Sequence, residues 1–141
     1  MELTLPIEAE ELIPHRLPMR LINRLLEIDG KDGVVDALID ADCPMVSADG
    51  ILEDAALVEL LAQSYAAING YCDRIENKPV KQGFLVGIKK VNRLQSVKAG
   101  DRLRIDIRTL FELDDFSIAE GDIHCGTQLV MQGEIKLWVK Q

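Results

Sequence analysis

Between residues 102 and 108, Leu103, Ile105 and Ile107 alternate with Arg102, Arg104, Asp106 and Arg108. A period of two puts the apolar side chains on one face of an extended chain and the charges on the other, which predicts a half-buried antiparallel strand. The same alternation runs through Ile135, Leu137 and Val139, and Leu25–Ile39, Phe84–Asn92 and Phe116–Cys125 are further strand candidates. Gly-Asp at 100–101, Asp-Asp at 114–115 and Gln-Gly at 132–133 supply turn residues between them. The pattern changes from Asp54 to Asn69, a run rich in Ala and Leu without Pro or Gly. It predicts one long helix with Asp54 as N-cap and Gly70 as its stop. Apolar residues occupy nearly every face of this helix, so it belongs in the interior. One buried helix with antiparallel strands after it predicts an α+β fold in which a sheet wraps the helix.

Composition narrows the class. The chain has 141 residues, 48% apolar and 28% charged, with five prolines; this suits one globular domain over 1–141 and not a disordered chain. Met1–Ile7 has no basic cluster before an apolar run, and no stretch nears the roughly 18 apolar residues of a membrane span. A cytoplasmic protein is expected. Cys43, Cys72 and Cys125 are too widely spaced for a zinc motif and odd in number, so free buried thiols are expected. The net charge of −8 argues against nucleic acid as a partner. From Lys78 to Arg104, however, eight basic residues face the single acid Asp101, so that segment carries +7 and the remainder −15. Such a stretch either steers an anionic partner or protects a solvated strand edge.

The candidate chemistry is sparse. Glu59 lies in the middle of the apolar helix, one turn before Gln63 on the same face. A carboxyl there is either paired or raised in pKa by desolvation, and a raised pKa suits a general acid. His15 lies in a loop stiffened by Pro14 and Pro18, a setting that presents side chains to sites. His124 falls in a strand, where a structural role is expected. The two histidines have no metal-binding spacing, and nucleophile-elbow, P-loop and dinucleotide fingerprints are absent. No metal and no cofactor is expected.

Three stretches together resemble the hot-dog-fold 3-hydroxyacyl-acyl carrier protein dehydratases over nearly the whole chain. Leu12-Ile-Pro-His-Arg-Leu-Pro-Met-Arg-Leu-Ile-Asn-Arg24 is similar to the family's opening Pro-His-Arg segment. Leu57-Val-Glu-Leu-Leu-Ala-Gln63 resembles its central-helix motif. Phe84-Leu-Val-Gly-Ile88, followed by basic residues and Val97-Lys-Ala-Gly-Asp101, resembles its Phe-Ala-Gly-Ile strand and the Gly-Asp turn beyond. The resemblance implies a hot-dog fold and a substrate carried as an acyl thioester on acyl carrier protein or coenzyme A. Glu59 would be the catalytic acid, and Gly87 the backbone donor to the thioester carbonyl. Lys89, Lys90 and Arg93 would contact the carrier protein. A homodimer, or a heterodimer with another hot-dog subunit, would complete the site.

One departure matters for function. The family takes its base from a Gly-His-Phe-Pro loop before the helix, whereas here residues 41–49 hold no histidine and Met45 stands at the base position. The Pro-Gly that opens the family's helix is replaced by Glu53-Asp54. Three readings follow. His15 substitutes as base in a dehydratase; or the protein is a thioesterase in which Glu59 acts with Gln63 orienting water; or it is a non-catalytic partner subunit. The chain also resembles the divergent dehydratase-like proteins of aryl polyene and related lipid pathways.

Overall fold

The computed structural model describes residues 3–79 and 81–140. Seven strands, β1 (Ile7–Glu8), β2 (Arg24–Asp29), β3 (Asp32–Leu38), β4 (Gln82–Arg93), β5 (Arg102–Leu113), β6 (Phe116–Cys125) and β7 (Gln128–Lys140), surround one helix, α1 (Asp54–Ile75), placed between β3 and β4. Every pairing is antiparallel, in the order β1-β2-β3-β5-β6-β7-β4. The expected α+β fold with a sheet around a helix is the fold observed.

The alternation in the sequence decides which face looks inward. Leu103, Ile105 and Ile107 on β5, Ala119 and Ile123 on β6, and Ile135, Leu137 and Val139 on β7 are buried against α1. On the helix, Leu57, Leu60, Leu61 and Ile68 are at most 1% exposed; each such side chain contributes about 1.5–3 kcal/mol on leaving water. Gly121 and Gly133 face each other across β6 and β7 beneath Leu61. A Cβ at Gly121 would lie 2.6 Å from Leu61 Cδ2 and one at Gly133 3.3 Å from Leu61 Cδ1. The helix therefore seats Leu61 in a depression that only glycine leaves open.

Several boundaries differ from the sequence reading, and the strand candidate Leu25–Ile39 is a hairpin of two strands, β2 and β3. Gly70 does not end the helix but lies buried inside it, because the chain at Leu12 passes so close that a Cβ at Gly70 would sit 2.1 Å from the Leu12 carbonyl oxygen. α1 runs on to Ile75. Its true stop is Asn77, which takes the left-handed φ of 57°. The Asn77 and Lys78 amides donate to the carbonyls of Arg74 at 3.1 Å and Asp73 at 2.7 Å. These two bonds form a Schellman cap with asparagine in glycine's place. At the other end the N-cap is Glu53. Asp54 is the first helical residue, and its Oδ1 instead pairs with Arg93 Nε at 2.7 Å. The turn expected at 132–133 is also absent: both residues are paired within β7, and the reversal falls at Gly126, with φ 61°.

β4 is an edge strand with one neighbour, β7. Its register slips between Leu85 and Gly87 and again between Lys89 and Asn92, and Lys90 takes a left-handed φ of 56° in the second bulge. Phe84, Leu85, Val86, Ile88 and Val91 all remain exposed on it. The three cysteines are free as expected, but half-buried and not fully enclosed. No helix among the described residues is long and apolar enough to cross a membrane.

Candidate active site

One stripe of α1 borders a cavity. Glu59, Gln63, Ala66 and Asp73 border a cavity of about 280 Å³, closed on one side by Leu85 of β4 with Leu137 and Val139 of β7, and on the other by Pro14 and His15. The helical period explains the alignment, since residues three and four apart share a face.

The loop that carries His15 is held by its own turn and by the helix. Arg16 Nη1 donates to the carbonyls of Ile13 and His15, both at 2.9 Å, and the amides of Met19 and Arg20 donate to the Arg16 carbonyl at 2.9 and 3.0 Å. Gln63, 1% exposed, ties this loop to α1. Its Oε1 accepts from the Leu21 amide at 2.8 Å and its Nε2 donates to the Met19 carbonyl at 3.0 Å. Gln63 thus spends its carbonyl oxygen on loop position, not on a water.

Glu59 is half-buried, and its Oε2 is enclosed without a hydrogen-bond partner among the described residues. Desolvation pushes its carboxyl above the ordinary value, and the nearness of His15 and Gln63 acts in the opposite direction. The Nδ1 of His15 is likewise enclosed and unpartnered. Sequence reasoning placed Glu59, His15 and Gln63 as candidates, and one cavity gathers all three. Unpartnered buried polar atoms at a cavity wall are uncommon in a settled core and mark a place for an incoming group.

The other candidates lie elsewhere. Gly87 is on β4 beside the first bulge, but the cavity is bordered on that strand by Gly83 and Leu85. A Cβ at Gly87 would meet Lys136 Cβ at 3.6 Å, an ordinary contact, so packing does not demand glycine there. Lys89 and Lys90 are exposed and make no ion pair among the described residues, whereas Arg93 is engaged by Asp54 and by Ser96. Met45 is half-buried with its carbonyl accepting from the Glu53 amide at 2.9 Å, and it does not border the cavity. His124 is a sheet residue whose Nδ1 lies 4.0 Å from Asp106 Oδ2. Sequence reasoning missed Asn69, Asp73 and Lys81, which also border the cavity. The signal was present as polar residues continuing down the helical stripe, but ending the helix at Asn69 cut it short.

A sheet wrapped around one long helix, with an acidic residue of that helix facing a side cavity, is the arrangement of a hot-dog domain. Residues 7–141 match the ApeP-like family, described as ApeP dehydratase. The 3-hydroxyacyl-acyl-carrier-protein dehydratase FabZ of Alkaliphilus metalliredigens is 30% identical over 134 residues, covering 92% of this chain and 89% of that protein. The FabZ of Roseiflexus sp. is 31% identical over 133 residues, 91% of each. Among solved structures, the dehydratase heterocomplex ApeI:P from Xenorhabdus doucetiae aligns with a TM-score of 0.89 at 20% identity, over 96% of this chain and 92% of that one. A hypothetical thioesterase with coenzyme A from Streptococcus pneumoniae aligns at 0.65 and 14% identity, over 82% and 84%; both structures speak to the fold alone. The chain belongs to the ApeP-like dehydratase family, and its function is dehydratase-like.

Proposed function

We propose that the protein removes water from 3-hydroxyacyl thioesters carried on acyl carrier protein, with Glu59 as acid and His15 as the base that replaces the family's loop histidine. The observation that carries this reading is the pair of enclosed, unpartnered atoms, His15 Nδ1 and Glu59 Oε2, bordering one cavity. The raised pKa of Glu59 supports its role as the proton donor.

In the elimination, His15 takes the proton from the carbon next to the thioester carbonyl, and the released electron pair forms the double bond. The bond from C3 to its hydroxyl breaks as Glu59 protonates the departing oxygen, so water leaves. The imidazolium and the carboxylate then exchange their proton through solvent, which restores both. Negative charge gathers on the thioester oxygen during the step, and Gly87 is the proposed backbone donor to it. Because β4 is a sheet edge, Gly87 would serve a site completed by a second hot-dog subunit paired along that strand. Lys89 and Lys90 are then free to meet an acidic carrier protein.

The test is the hydration–dehydration equilibrium of a crotonyl thioester, presented on acyl carrier protein and on coenzyme A, with the purified protein and its Glu59→Gln and His15→Ala variants. Each variant is expected to lose on the order of a hundredfold or more in turnover, the usual worth of a positioned acid or base. Wild-type turnover that survives His15→Ala would remove His15 from the chemistry. No turnover by the wild type would reassign the chain as an accessory subunit.

A further inference from the structure

The cavity does not stop at the reacting end. Asp73 lies fourteen residues beyond Glu59 on the same stripe of α1, about 21 Å along the axis at 1.5 Å rise per residue. Between its ends the passage is lined by Ala66, Leu85, Leu137 and Val139, side chains that suit an alkyl chain, with Tyr65 and Asn69 beside them. Its far end is different. Asp73 is 4% exposed; its Oδ1 accepts from Lys81 Nζ at 3.2 Å, and its Oδ2 is enclosed with no hydrogen-bond partner among the described residues.

A carboxylate fixed by one lysine and left with an unsatisfied oxygen is a poor neighbour for a methyl group and a good one for a hydroxyl donor. A methyl terminus would seal the oxygen from water without replacing the lost hydrogen bond, whereas a hydroxyl would supply it. The direction of β4 keeps this end distinct from the reacting end. Lys81, just before the strand, meets Asp73 near the C-terminus of α1, and Arg93, at the strand's end, meets Asp54 at the N-terminus. The strand therefore runs antiparallel to the helix, and the Asp73–Lys81 pair closes the passage at the end remote from Asp54.

We propose that Asp73, held by Lys81, is a specificity-determining residue that accepts a hydrogen bond from a hydroxyl at the far terminus of the acyl chain, so that the protein prefers hydroxyl-terminated acyl thioesters to methyl-terminated ones of equal length. The proposal rests on the reading of Glu59 as the reacting end, but its test measures binding and so stands apart from turnover.

Titration calorimetry would compare hexadecanoyl-coenzyme A, long enough to reach from Glu59 to Asp73, with its ω-hydroxy counterpart on the wild-type protein, on Asp73→Leu/Lys81→Met, and on Asp73→Asn, which keeps an acceptor of similar size. The wild type is expected to bind the ω-hydroxy ligand about tenfold more tightly, a modest share of what a built hydroxyl site can discriminate. The double variant should lose or reverse that ratio, and Asp73→Asn should retain part of it. Each ratio is taken within one protein, so a general loss of affinity cancels, and thermal melting checks that each variant is folded. Equal affinities in the wild type, a preference that survives the double substitution, or no binding of either ligand overturns the proposal. If the preference is found while crotonyl turnover is absent, the dehydratase chemistry fails and the hydroxyl site stands.

Discussion

Glu59 ties stability to pH in a direction opposite to most carboxylates. Its folded-state pKa is raised, chiefly by desolvation, so the folded protein holds the Glu59 proton more tightly than the unfolded chain does. The stabilising contribution of this group is present below its unfolded pKa and is lost as pH rises through the raised folded value. Melting curves of wild type and Glu59→Gln should therefore diverge with rising pH, the variant gaining relative stability above about pH 4.3, the ordinary glutamate value. Parallel curves would mean that Glu59 is not desolvated. Gly87 offers a second residue-scale test, because packing leaves room for a methyl group there. Gly87→Ala should change stability by no more than about 0.5 kcal/mol, read as a urea midpoint. A clear fall in crotonyl turnover without that stability loss would place the backbone at Gly87 near the thioester.

Among the elements, α1 carries the fold and the site together: one side seats Leu61 on Gly121 and Gly133, and another presents Glu59, Gln63 and Asp73 to the cavity. Gly70 shows how close the tolerance is. In an open helix Gly→Ala gains about 0.5–1 kcal/mol, but here the added Cβ would fall 2.1 Å from the Leu12 carbonyl oxygen. Gly70→Ala is expected to destabilise by about 1–3 kcal/mol, the usual cost of overpacking, and to disturb the segment that leads to His15. A lowered denaturation midpoint checks the first effect. A fall in turnover of the molecules still folded checks the second. The helix itself was legible from its Ala- and Leu-rich run, and its end was not. Gly70 reads as a terminator in sequence because its packing partner is fifty-eight residues away, at Leu12.

For the molecule as a whole, the free edge of β4 is the feature that asks for a second chain. It presents Val86 and Ile88, 51% and 57% exposed, beside backbone groups that no strand among the described residues pairs. An apolar edge of this kind aggregates unless it is covered. The protein, alone or with a second hot-dog subunit, is expected to sediment as a dimer. Ile88→Glu should weaken that association at least tenfold by placing a charge in its apolar centre. A wild type that remains monomeric at high concentration and with every hot-dog partner offered would count against a shared site.

The sequence by itself settled the strand faces, the buried helix and the family, because these depend on local period and on motifs in fixed order. Leu103, Ile105 and Ile107 point inward for the same reason that they alternate, and Glu59 stands out because a carboxyl in an apolar helix is costly wherever the helix packs. Tertiary structure alone decided what those residues meet. Gln63 became a clamp on the His15 loop, Arg93 an anchor for Asp54, and Gly133 a seat for the helix in place of a turn. It also brought Asp73 and Lys81 to the far end of the cavity that Glu59 borders. Spacing along a chain records neighbours within one element, whereas these contacts join elements whose approach is set by the packing of the whole core.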